Sequence, residues 1–261
     1  MKYLNDVSCK DCVGKVCKSK SSGDFKVVKY NDAKNVEIQF LKTGYEATVE
    51  LGHIKIGNVK DPYAPSVHGV GVTGTKYPIT VDDVITKEYD LWYNMLQRCY
   101  NGAFKKKRPT YEGCEASENF KYYEYFYEWC HKQIGFGVDG NGNPFHLDKD
   151  LLVKGNKVYS EDSCVFIPQE INSLLIKSNT SRGEYLIGVC WDKAKNAFKA
   201  QVRKNKGKSE HLGLFKTELE AFNAYKEAKE SFIKEQANKW KCKIDDRAYN
   251  ALMNYKVSID D

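Results

Sequence analysis

Apolar and polar positions alternate in short runs near the start of the chain: Phe25-Lys26-Val27, Val36-Glu37-Ile38-Gln39-Phe40, Ala47-Thr48-Val49-Glu50 and Ile54-Lys55-Ile56, broken by Asp32, Gly44, Gly52 and Gly57. A period of two with turn residues at the breaks predicts short strands joined by tight turns, so residues 23–75 are expected to form a small antiparallel β module. Ahead of it, residues 1–22 are polar, rich in lysine and serine, carry Cys9, Cys12 and Cys17, and end in Ser21-Ser22-Gly23. They are expected to be an arm. Asp61-Pro62-Tyr63-Ala64-Pro65, followed by Gly69, Gly71 and Gly74, holds too many breakers for a helix or a strand. It is expected to be a linker or an ordered connecting loop.

The period then changes. Trp92, Met95, Leu96 and Cys99 stand at i, i+3, i+4 and i+7, and Phe120, Tyr123, Tyr127, Cys130 and Ile134 recur at helical spacing, which predicts two helices with one apolar face each. Lys105-Lys106-Lys107-Arg108-Pro109 between them reads as a loop of like charges that either touches phosphate or is merely solvated. A glycine and asparagine loop over residues 135–143 leads to His146-Leu147-Asp148-Lys149-Asp150-Leu151-Leu152. A turn at Gly155-Asn156 is followed by a strand, Cys164-Val165-Phe166-Ile167. Pro168 then opens a helix that carries Ile171, Leu174 and Leu175 inward. Strand, loop, strand and helix in so short a span is the minimum frame of a metal-dependent nuclease.

Three further strands are expected at Tyr185-Leu186-Ile187-Gly188-Val189-Cys190-Trp191, at Phe198-Lys199-Ala200-Gln201-Val202-Arg203 and at His211-Leu212-Gly213-Leu214-Phe215. Thr217 and Glu220 make a capping box for the helix that follows. Leu219, Phe222, Tyr225 and Phe232 on that helix are expected to cover one sheet face, leaving Lys199, Gln201 and Arg203 on the other. Residues 244–261 look like a short acidic tail, helical in part over 249–253.

Composition narrows the classes. At roughly 150 residues per domain, 261 residues suffice for two compact units. A hydrophobic content of 41% and a charged content of 29% exclude bulk disorder, although a mean hydropathy of −0.62 and 18 tyrosines make the chain wetter than an average enzyme core. No apolar run of about 18 residues appears, and the start, Met1-Lys2-Tyr3-Leu4-Asn5-Asp6, lacks an apolar stretch of signal-peptide length. The expectation is a soluble, cytoplasmic protein with no membrane partner. Nine cysteines, an odd number, read as reduced thiols rather than a disulfide framework. The net charge of +6 is localised: residues 180–243 hold 15 Lys and Arg against 8 Asp and Glu, and residues 193–216 hold 8 against 1. A basic segment on an otherwise balanced chain is what a polyanion-binding module looks like, because neutralised phosphates release counterions.

The C-terminal residues also carry a family likeness. Gly188-Val189, the alternating strand 198–203, His211-Leu212-Gly213-Leu214-Phe215 and Thr217-Glu218-Leu219-Glu220-Ala221-Phe222-Asn223-Ala224-Tyr225 resemble the AP2 DNA-binding domain of plant transcription factors and of phage and bacterial homing endonucleases. The resemblance implies that residues 180–243 form a three-stranded sheet plus helix whose open face enters the major groove of double-stranded DNA, a groove that admits a β-ribbon as well as a helix. By position it implies Arg182, Trp191, Lys199, Gln201, Arg203 and His211 as the contacts. Arginine and glutamine pair bidentately with guanine and adenine, and lysine serves mainly as a phosphate charge.

Residues 85–178 resemble the HNH-type nuclease region of phage homing endonucleases through Trp92, Met95, Arg98-Cys99-Tyr100, Trp129, Leu147-Asp148-Lys149-Asp150, Asn156, Tyr159-Ser160, Cys164 and Asn172. The resemblance implies a ββα-metal arrangement in which an acidic residue and a histidine hold Mg2+ or a similar ion and activate water. A middle asparagine orients the histidine, and a helix residue completes the metal site. Asp148 and Asn172 match the metal positions, Asn156 the orienting position, and Lys149 stands where the general base is expected. An unperturbed lysine is protonated at neutral pH and takes no proton from water. His146, on the same strand face as Asp148, is therefore one candidate base. Asp150 sharing the metal with Asp148 is a second route, and a nuclease scaffold without chemistry is the third.

Cys9 and Cys12 have Cys-x2-Cys spacing, but with Cys17 they supply only three of the four ligands zinc needs, so that His53 or His68 would have to complete a site, and a thiol-bearing arm without metal is expected; Cys99, Cys114, Cys130 and Cys164 are a second set of the right donor type. For Cys99 and Cys130, on apolar helix faces, core packing is expected instead. Phe40, Thr43-Gly44-Tyr45 and Lys60-Asp61-Pro62 look like a segment that precedes nuclease regions in phage proteins, implying an accessory DNA-contact or docking role. The chain is thus expected to be an α+β, multi-module DNA-binding protein of phage or mobile-element type that acts as a site-directed endonuclease. The alternative is a non-catalytic DNA-binding or interaction protein, such as a regulator or an inhibitor of host defence, with a protein partner.

Overall fold

The computed structural model describes residues 12–137, 142–175, 184–204 and 209–259. The chain is a mixed α+β protein that divides into two units, Met1–Cys130 with Val158–Ser160, and His131–Lys157 with Glu161–Asp261.

In the first unit, β1 (Val16–Ser19), β2 (Gly23–Asp32), β3 (Asn35–Phe40) and β4 (Glu46–Val49) form an antiparallel sheet in that order. The period-two residues Phe25, Val27, Val36, Ile38 and Phe40 meet on one face, as the alternation predicts. Leu51 and Ile54 of the short helix α1 (Leu51–Lys55) join the same cluster. A fourth alternating strand at residues 54–56 is thereby corrected to a helix: a spacing of three turns Leu51 and Ile54 to one side, and Ile56 is left exposed. The arm is corrected in its described part as well. β1 pairs with β2 through Cys17 opposite Phe25, and Cys12 is 2% exposed in the sheet core.

The breaker-rich stretch that follows is an ordered loop. The buried Asp61 carboxylate accepts from Tyr63 N (2.8 Å) and Thr43 Oγ1 (2.5 Å), and Val72 bridges to Tyr122. A hairpin of β5 (Thr80–Val81) and β6 (Val84–Ile85) leads to α2 (Lys87–Tyr100), whose Thr86 cap accepts from Tyr89 N. α2 buries Trp92, Met95, Leu96 and Cys99, the four residues its spacing selects. The cationic stretch is not a loop: α3 (Gly102–Lys107) forms because the Asn101 side chain accepts from Phe104 N at 2.9 Å. β7 (Glu115–Ala116) pairs in parallel with residues 158–159. α4 (Tyr123–Lys132) buries Tyr123, Phe126, Trp129 and Cys130. Of the expected apolar face, Phe120, Tyr123 and Cys130 are buried and Tyr127 and Ile134 are not. Tyr127 stacks on Tyr77 at 3.9 Å instead, and Ile134 is exposed beyond the helix.

In the second unit, β8 (His146–Asp148) pairs antiparallel with β10 (Val165–Ile167), the intervening β9 (Val158–Tyr159) being the partner of β7 in the first unit. Helix α5 (Gln169–Leu175) follows Pro168 and buries Ile171, while Leu174 and Leu175 are half-buried. β11 (Val189–Asp192), β12 (Ala197–Val202) and β13 (Glu210–Phe215) form the C-terminal antiparallel sheet, followed by the long helix α6 (Glu218–Trp240). The capping box is present: Glu220 N donates to Thr217 Oγ1 and Thr217 N to the Glu220 carboxylate. Phe222 and Tyr225 pack with Val202, Val189 and Leu212 over one sheet face. Leu219, expected there, is 55% exposed, one turn too early to reach the sheet. The first strand is shorter than its apolar run, because residues 187–188 turn, with Gly188 at φ +79°.

The C-terminal segment is not a loose tail. α7 (Asp246–Met253) packs on α6, buries Ala248 and Leu252, and is followed by Val257, which is buried and donates its N–H to Glu230 Oε1 at 3.0 Å. No helix of the described residues is long and apolar enough to cross a membrane.

Candidate functional site

Pairing of β8 with β10 sets His146 opposite Ile167 and Asp148 opposite Val165. The two side chains, two residues apart on a strand, therefore share a face. Asn172, on the second turn of α5, brings its side-chain amide to 3.0 Å from His146 Nδ1. The spacing of 26 residues hides this pair from the sequence. Asn172, expected as a metal ligand, is thus in hydrogen-bonding distance of the imidazole.

Asn156 does something else. Its Nδ2 donates to Lys149 O at 2.7 Å, and Lys149 Nζ donates back to Asn156 O at 2.8 Å and to Asp150 Oδ2 at 3.3 Å. Lys149 is only 8% exposed. The ammonium thus closes the β8–β9 loop as a reciprocal latch. Lys149→Met is expected to cost about 1–3 kcal/mol by leaving a carbonyl without its charged donor, read as a lower urea midpoint at unchanged slope.

Asp148 Oδ1 accepts from Asp150 N at 3.0 Å and Leu151 N at 2.7 Å. Burial first, and then the neighbouring Asp150 charge, push its carboxyl up to about 6, against the opposing pull of those N–H groups and of Lys149. It is ionised at neutral pH, at a cost.

The described residues contain no group of three His, Cys, Asp or Glu side chains able to hold one ion. Mg2+ asks less of a protein, because it keeps several waters and takes one or two carboxylates plus substrate phosphate. Asp148, with the more exposed Asp150, fits that hard-oxygen donor set. Zinc needs four mostly nitrogen or sulfur ligands. Cys99, Cys114 and Cys130 are buried in the first unit, Cys164 in the second, and Cys9 lies outside the described residues.

On the C-terminal sheet, Cys190, Lys199 and Leu214 lie in one row across three strands, on the face that α6 does not cover. The register slips between Ala200 and Gln201, so Leu212 joins the core and His211 comes opposite Gln201. Lys199, Gln201 and His211 thus share the open face, and Arg203, one residue past the end of β12, is exposed, as is His211. Trp191 does not share it: it stands opposite Phe198, on the helix side by alternation, and meets that ring edge-on at 4.8 Å. Arg182 lies outside the described residues. Glu210, the one acid of residues 193–216, is paired with Lys204 at 2.7 Å, while Lys199 and Arg203 make no ion pair with a described residue. Leu214, 42% exposed beside Lys199, is an open-face residue that only the register reveals.

No protein-family model, no curated protein and no solved structure matches this chain.

Proposed function

We propose that the protein binds double-stranded DNA through the open face of β11–β13 and hydrolyses a phosphodiester at β8, β10 and α5 with Mg2+ or a similar divalent ion. The observation that carries this reading is the juxtaposition of His146 and Asp148 on one strand face, with the imidazole held by Asn172. In this reading the second unit combines an AP2-like reader with an HNH-like centre, as in phage and mobile-element homing endonucleases.

Asp148 would hold the ion, with Asp150 assisting. When bound, such an ion stabilises the developing charge on phosphate and makes water a better nucleophile. His146 would accept the proton of that water at Nε2, which requires the other ring proton to sit on Nδ1. The Asn172 amide nitrogen faces Nδ1, and a half-turn of that amide would present its carbonyl oxygen to Nδ1–H and place the ring lone pair on Nε2. Lys149, tied into its loop, is assigned no proton transfer. Lys199 and Arg203 would contact phosphate or guanine, and Gln201 and His211 base edges.

A non-catalytic DNA-binding or interaction protein, such as a regulator or an inhibitor of host defence, is favoured by one observation, the lack of a three-ligand group among the described residues. Incubation of supercoiled plasmid and phage genomic DNA with the purified protein separates the two. Nicking or linearisation in Mg2+ or Mn2+, and none in EDTA, is the expected result. Binding without cleavage in any metal would sink the nuclease and leave the docking scaffold.

A further inference from the structure

Lys105, Lys106, Lys107 and Arg108 lie in the first unit, outside everything assigned so far. The first three form the last turn of α3 and the fourth caps it. Residues 101–111 contain no acid, and none of the four side chains makes an ion pair with a described residue. Three single lysines elsewhere in this unit are paired, Lys29 with Glu37, Lys76 with Glu128 and Lys121 with Glu118; what sets residues 105–108 apart is four cations in sequence with no acid beside them. Lys106, Lys107 and Arg108 are exposed.

The cations stand on a fixed platform. Asn101 caps the helix, the Phe104 ring meets Tyr111 at 5.8 Å, and the Arg98 guanidinium lies 5.5 Å from the Tyr111 centroid. Arg108 N donates to both Phe104 O and Lys105 O at 3.0 Å. The C-terminal end of a helix favours cations, but that end effect does not remove the mutual repulsion of four.

We infer that α3 and its cap are a second phosphate-binding site, through which the first unit grips the DNA backbone independently of the C-terminal sheet. The inference rests on the DNA-binding reading above. Because no base edge is read, the contact adds affinity without sequence preference.

The test compares the full-length wild type with a variant carrying Lys105→Gln, Lys106→Gln, Lys107→Gln and Arg108→Gln, and with one carrying Lys105→Arg, Lys106→Arg and Lys107→Arg. Duplex affinity is measured by fluorescence anisotropy across a range of KCl. Each lost phosphate contact lowers the slope of log K against log salt by about 0.9, so the glutamine variant should lose about 2–4 from the slope while the arginine variant retains it. Far-UV circular dichroism should show both folded, since these side chains carry no buried packing. An unchanged slope in a folded glutamine variant overturns the second site and leaves DNA binding by the sheet intact. Failure of the wild type to bind duplex at low salt overturns the DNA-binding reading itself, and the second site with it.

Discussion

Asp148→Asn is expected to abolish DNA cleavage and at the same time to make the protein more stable at pH 8. The loss follows from the site: an amide cannot supply the anionic oxygen that a divalent ion takes from a carboxylate. Removing several kcal/mol of charge stabilisation slows hydrolysis by about a thousandfold or more. The gain follows from electrostatics. The native carboxyl is displaced from 3.8 to about 6, first by burial and then by Asp150, a penalty on the ionised form of about 3 kcal/mol. Because the native pKa lies above the unfolded one, the native chain binds more protons between about pH 4 and pH 6. Wild-type stability therefore falls as pH rises through that window and stays low above it. The amide of the Asp148→Asn variant carries no such penalty and still offers an oxygen to Asp150 N and Leu151 N, the two donors that Asp148 satisfies. In metal-free buffer the variant should melt above the wild type at pH 8, and the difference should vanish toward pH 4. A lower melting temperature at both pH values, with cleavage intact, would make Asp148 a structural residue. His146→Ala, run beside it, should cost about 10^2–10^4 in rate, the range of a lost general base, without the pH-dependent stability gain.

Gly188→Ala should disrupt the C-terminal sheet. A Cβ at this position would run into Cδ2 and Cγ of the Tyr225 ring, and the backbone sits at φ +79°. The ring has little room to retreat, because Tyr225 is buried with Phe222, Val202 and Val257. A left-handed conformation costs an alanine about 1–2 kcal/mol, and forcing extra volume into a packed core adds about 1–3 kcal/mol. A loss of about 2–5 kcal/mol is a large share of the stability of an ordinary domain. The readouts are the urea midpoint and DNA affinity, both of which should fall. A double-mutant cycle identifies the cause: in a Tyr225→Ala background the added methyl meets a cavity, so the combined loss should be smaller than the sum of the single losses. Strict additivity would move the cause from the ring to the backbone.

The contacts around Gly188 also show which features were legible beforehand. Strand 198–203 announces itself by alternation, and Thr217 with Glu220 announces the start of α6, because both signals lie between near neighbours in the chain. The four buried positions of α2 were legible for the same reason. Residues 102–107 misled, since a run of like charges hides a helix that depends on one capping side chain, Asn101. Residues 244–261 misled in the opposite way, because the apolar positions Ala248, Leu252 and Val257 acquire meaning only once α6 is there to receive them.

By itself, then, the sequence determined the α+β class, the alternating N-terminal module, the capped helix behind the three-stranded sheet, and the concentration of positive charge in residues 180–243. It brought His146 and Asp148 to one strand face, because alternation is a local rule. Only the tertiary structure decided that Asn172 meets the imidazole, that Lys149 closes a loop with Asn156, and that Trp191 packs on Phe198 away from the open face. Those outcomes depend on strand register, on a bulge that shifts His211 opposite Gln201, and on contacts between residues far apart in the chain. Periodicity encodes which side of its own element a residue occupies; the partner it meets is set by how separate elements align, and no short window of sequence contains that alignment.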